Sequence, residues 1–203
     1  MPNVLRIHMR LAICLITTLI ITACTTSEDK ISEEDVYHFL NKVMAELSSD
    51  YKDCDAISDR TLLTIDGTFS TFPGEVYDST ATLRQLAEGG YIDTSDIDFI
   101  LNQQYDTAFR LEPNKINKRL LRQEEIDSIF NLKGEVGYKI LRETYGIECH
   151  GYISKPFFSK DRNTVLISLE WVKGYLYGQG LIIIFKKENE IWKEERVLGT
   201  WVS

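Results

Sequence analysis

The apolar positions change period once along this chain, at Gly146. Before that point they recur at helical spacing. In "ISEEDVYHFLNKVMAELSSD" the residues Val36, Phe39, Leu40, Val43, Met44 and Leu47 share one helical face, and Ser32 with Asp35 forms the start signal of a capping box. "TATLRQLAEGG" predicts a helix stopped by Gly89 and Gly90, and "TSDIDFILNQQY" another, capped by Ser95, with Ile97, Ile100 and Leu101 inward. "QEEIDSIF" and "GEVGYKILRETYG" add two short helices. After Gly146, "GYISKPFF", "NTVLISLEWV", "GLIIIFKK" and "EIWKEERVLGTWVS" read as four strands joined by polar or glycine-rich turns. The unbroken apolar run Leu181 to Phe185 predicts a central strand buried on both faces. Residues 51–92 give a weaker pattern, in which Asp66-Gly67 suits a tight turn. Helices first and consecutive strands afterwards predict an α+β fold, with amino-terminal helices packed on a carboxy-terminal antiparallel β-meander.

One apolar run belongs to neither pattern. "LAICLITTLIITA" follows Arg6 and Arg10 and ends at Cys24. A charged stretch followed by a short apolar stretch is the layout of an export signal. The run falls short of the roughly 20 apolar residues that span a bilayer. Its end, "ITAC", has a branched apolar residue, two small residues and a cysteine, and resembles the lipobox of bacterial lipoproteins at Ile21, Thr22, Ala23 and Cys24. The resemblance implies cleavage before Cys24, a diacylglycerol on its sulfur and an acylated amino terminus. Two or three acyl chains, palmitate among them, hold a protein at a membrane, each buried methylene contributing about 0.8 kcal/mol. The expected organisation is then a signal peptide at 1–23, a lipidated tether at 24–31 and one globular domain at 32–203. Thr25, where an aspartate would favour inner-membrane retention, is similar to outer-membrane lipoproteins, and the acidic "SEDK" to surface-export tags of Bacteroidetes-like bacteria.

Charge narrows the partners. The chain carries 23 basic and 31 acidic residues, a net charge of −8. The excess is concentrated from Cys24 to Ile147, with 13 basic against 24 acidic residues, while Glu148 to Ser203 is balanced at 8 against 7. Such a surface repels phosphate backbones, so nucleic acid is not an expected partner. Of the four cysteines, Cys14 leaves with the signal and Cys24 becomes the anchor. Cys54 and Cys149 remain, as a disulfide or as two separate buried thiols.

The familiar catalytic patterns are missing: no G-x-S-x-G, no H-E-x-x-H and no P-loop. Cys149-His150 places a thiol beside a base, yet neighbours on a strand point to opposite faces. His38 lies off the apolar stripe and reads as a surface residue. Asp96/Asp98 and Glu124/Glu125 read as helix-start acids. No catalytic residue, metal or cofactor is expected. "KGYLYGQG" lies between two strands and predicts a hairpin loop. Its Tyr175 and Tyr177 form a candidate binding edge, although packing back over the sheet is the stronger expectation.

Residues 95–203 resemble a set of uncharacterised lipoproteins of Bacteroidetes-like bacteria through "SKPFFSKD", "KGYLYGQG", "FKKENEIWK" and the terminal "GTWVS". That resemblance implies a fold and no activity. The functional expectation is a non-enzymatic, lipid-anchored binding module with a protein or glycan partner, at the outer membrane. An immunity lipoprotein, whose acidic face meets a basic toxin, is one version of it. A small envelope hydrolase is the alternative.

Overall fold

The computed structural model describes residues 30–47, 50–65, 79–131 and 135–202. The chain divides into Met1–Ile31 and Ser32–Ser203, and the fold that follows is that of the second unit. Cys24, the apolar run before it and the Asp66-Gly67 turn lie outside the described residues.

Helix α1 (Glu33–Glu46) begins at the capping box. The Ser32 hydroxyl accepts the Asp35 N–H at 3.1 Å, and the Asp35 carboxylate accepts the Ser32 N–H at 3.3 Å. Val36, Phe39, Leu40 and Val43 are buried and His38 is exposed, as the periodicity requires. Helix α2 (Ser79–Glu88) stops at two glycines, with Gly90 at φ +74°, where a side chain would be strained. Asp93, rather than Ser95, supplies the next cap: its carboxylate accepts the Ser95 N–H at 2.7 Å at the start of a 3₁₀ turn that leads into α3 (Ile97–Leu101). Helices α4 (Gln123–Phe130) and α5 (Glu135–Tyr145) follow, the second ended by Gly146 at φ +66°.

The strands are β1 (Ala56–Ser58), β2 (Leu120–Leu121), β3 (Cys149–Ile153), β4 (Phe157–Phe158), β5 (Thr164–Lys173), β6 (Gly178–Glu188) and β7 (Ile191–Val202). They form one sheet in the order β2-β1-β3-β5-β6-β7, with β4 paired to β5. The fold is α+β: the helices are mainly amino-terminal, and β3 to β7 form an antiparallel meander. The short strands β1 and β2 add a parallel flank to it. Strand β6 lies between β5 and β7, and Leu181 to Phe185 are all buried.

The register divides the side chains between two layers. On one face Phe39 of α1 packs edge-on against Phe158, Phe185 and Trp192, and Tyr51 against Trp171. The Tyr51 ring lies close enough to Gly151 that an added Cβ would meet it at 2.7 Å. On the other face α2 and α3 cover Leu166, Ile182 and Ile184, while α4 and α5 enclose Ala56, Leu121 and Ile147. Each fully buried aliphatic or aromatic side chain contributes about 1.5–3 kcal/mol to such layers.

Candidate functional site

The most exposed large apolar side chain among the described residues, Leu176, is carried by the β5–β6 hairpin. Its strands end where Val172 pairs with Gly178, and the Lys173 N–H donates to the Tyr177 carbonyl at 2.8 Å. Gly174 takes φ +69°, so four residues turn the chain. The turn carries Tyr175, Leu176 and Tyr177 beyond the end of the sheet, at 62%, 80% and 42% exposure. The expectation that the two tyrosines pack back is therefore overturned.

Two hollows flank the base of this tip. One, of about 370 Å³, is lined by Asp53, Cys149, Trp171, Lys173 and Tyr177. The other, of about 180 Å³, is lined by Tyr138, Arg142, Ile147, Glu148, Lys173 and Gly174. Cys54 and Cys149 form a disulfide, with Cα atoms 4.7 Å apart, and tie the 3₁₀ turn Asp50–Asp53 to the strand beside β5. Asp55 reinforces this junction by accepting the Glu148 and Cys149 N–H groups at 2.8 and 3.0 Å. Those bonds, the Cys149 one foremost, hold its carboxyl below the usual range. With its sulfur bonded, Cys149 is no thiol for His150 to activate.

A second cluster lies on the opposite face of the sheet. His150 is 2% exposed among the rings of Phe130, Tyr138 and Tyr152, and the Tyr152 hydroxyl is 3.4 Å from its Nε2. Burial lowers the imidazole from 6.5 to about 4, so it is neutral at physiological pH. Burial also raises the Tyr152 hydroxyl, against a hydrogen bond with Gln123. Gln123 in turn accepts from Ser58 at 2.7 Å and donates to Asp127 at 2.8 Å. Glu170 pairs in register with Tyr152 and with Gly180, and accepts the Trp201 indole N–H at 3.3 Å. Burial raises its carboxyl from 4.5 to about 7, the Trp201 bond pulling the other way. Sequence reasoning did not find this cluster, since its members come from β1, β3, β5, β7, α4 and α5 and share no local spacing.

The remaining candidates behave as local structure. Glu124 and Glu125 open α4 and ion-pair with Arg110 and Arg122. Asp98 lies in the first turn of α3, and Asp96 is buried, accepting the Lys160 N–H at 3.0 Å. Among the described residues, no group of three or more His, Cys, Asp or Glu side chains is placed to hold a metal ion. No described helix is long and apolar enough to cross a membrane. No protein-family model, curated protein or solved structure matches the chain.

Proposed function

We propose that the protein is a lipid-anchored component of the bacterial envelope, at the outer membrane, and acts as a non-enzymatic binding module through the β5–β6 hairpin tip. The observation that carries this reading is the projection of Tyr175, Leu176 and Tyr177 at the end of the sheet remote from the chain's entry. The chain enters at Ser32. There Asp35 of α1 lies 3.6 Å from Arg162 in the β4–β5 connection, and Lys42 donates to Glu190 in the β6–β7 turn at 3.2 Å. Both turns lie at the opposite end of β5 from the tip, about 33 Å away for ten residues of strand. The tip thus lies at the far end of the domain from Ser32, where the proposed tether joins it.

Other features agree. The Cys54–Cys149 disulfide suits an oxidising compartment. The exposed edge, β7, is blunted against strand pairing, because register slips leave Glu195 and Thr200 as extra residues and Lys193 to Arg196 are all charged. Tyrosine side chains on a projecting loop are the kind of group that anchors a protein interface. The immunity version would use a different surface: the acidic hollow of about 450 Å³ lined by Glu33, Glu34, Tyr37, His38, Asn41 and Lys115, at the entry end. The hydrolase reading has one observation in its favour, the raised Glu170 carboxyl beside Tyr152 and Trp201.

The test has two arms. Cys24→Ala should lose incorporation of a labelled fatty acid, and equal labelling would refute the anchor. Tyr175→Ser with Tyr177→Ser should keep the parent melting temperature while abolishing the contact made by residue 176 in cells. An undiminished contact would refute the tip.

A further inference from the structure

We infer that the cavity of about 370 Å³ at the base of the hairpin tip binds the carboxyl terminus of a peptide or protein. This rests on the tip being the contact surface and names the chemistry it takes. The volume falls within the roughly 300–1,000 Å³ of small-ligand sites. One donor in its wall goes unanswered: the Lys173 ammonium has no ion-pair partner among the described residues. An entering carboxylate supplies the acceptor that the fold does not, which a purely apolar ligand cannot do.

The acceptor's identity follows from the rest of the lining. Asp53 supplies one negative charge beside the Lys173 cation. A doubly charged phosphate meets that repulsion, whereas a peptide terminus brings one diffuse negative charge for Lys173 and an amide N–H that Asp53 can accept. Tyr177, half exposed in the lining, offers a ring for the terminal side chain. The wall at Cys149 is fixed by its disulfide, which reduces the ordering cost of binding. The acidic hollow on α1 is unlike this. Its Lys115 is already held by Glu33 and Glu112 at 3.0 and 2.7 Å, and Asn41 uses both ends of its amide on the 115–117 backbone.

The experiment is calorimetric titration of the full chain in detergent with N-acetyl-alanyl-alanine, its carboxy-terminal amide, N-acetyl-aspartate amide and inorganic phosphate. The free acid should bind saturably, with the amide at least tenfold weaker and phosphate unable to compete. Lys173→Met should weaken the acid at least tenfold at an unchanged melting temperature, and Lys173→Arg should restore it. Equal binding of acid and amide, undiminished binding by Lys173→Met, preference for the aspartate side chain or for phosphate, or no saturation at millimolar concentration would each overturn the inference. Acid binding without any cellular contact at residue 176 would refute the proposed function and leave this site standing. The reverse pattern would remove this site alone.

Discussion

Glu170→Gln should make the protein's stability depend on pH in a way that the parent's does not. Burial raises the Glu170 carboxyl from 4.5 to about 7 in the folded chain. The folded state therefore holds the proton more tightly than the unfolded state, and the stability this confers is present below about 4.5 and lost as pH rises through about 7. At about 1.4 kcal/mol per unit, the loss comes to about 3 kcal/mol. His150 works in the opposite sense. Its folded value lies below 6.5, at about 4, so its contribution is present above 6.5 and lost as pH falls through about 4, again about 3 kcal/mol. The two slopes nearly cancel in the parent. Glutamine keeps the shape of Glu170 and an oxygen for the Trp201 N–H, but it cannot ionise. The variant should therefore gain about 2–3 kcal/mol on the parent between pH 4.5 and pH 8, the lower figure allowing for partial exposure of the group. Urea unfolding followed by tryptophan fluorescence at pH 4.5, 6 and 8 measures the difference directly. A variant-minus-parent difference that stays constant across those three conditions would refute the reasoning.

Other perturbations address the framework. Replacing Cys54 and Cys149 together by serine opens a link across 95 residues, and the chain-entropy model puts the loss at about 4–5 kcal/mol. Denaturant midpoints would show it, and an unchanged midpoint would show that the link contributes nothing. Ile183→Asp places an unpaired charge at a fully buried position on β6 and should prevent folding, as read by circular dichroism; native-like spectra would contradict the central place of that strand. Gly151→Ala drives a methyl against the Tyr51 ring and the Glu170 carbonyl at 2.7 and 2.9 Å, and should cost about 1–3 kcal/mol, whereas a neutral result would mean that the 3₁₀ turn yields freely.

Much of the fold was legible because its signals are local. The Ser32–Asp35 box, the apolar stripe of α1, the glycines after α2 and α5 and the run Leu181 to Phe185 each act within a few residues. Strands β1 and β2 were not legible, since three and two residues cannot show alternation and their parallel partners come from far along the chain. The Asp93 cap was missed because Ser95 two residues later is an equally good cap by composition. The candidate site was half legible. "GYLYG" marked the loop, but the side-chain direction depended on where β5 and β6 stop pairing. The cavity beside it depended on Asp53 and Cys149, brought to Trp171 and Lys173 only by the fold. His150 was visible as a possible base. Its aromatic surroundings, which keep it neutral, come from helices that no spacing connects to it.

The hairpin tip is proposed as the surface by which an anchored protein meets its partner. Site-specific photo-crosslinking in the native envelope tests it most directly, with a benzophenone amino acid at Leu176 and, as control, at the exposed Glu195 of β7. One discrete crosslinked protein is expected from position 176, lost when Tyr175 and Tyr177 are changed to serine, and none from position 195. No product from 176, or the same product from both positions, would contradict it.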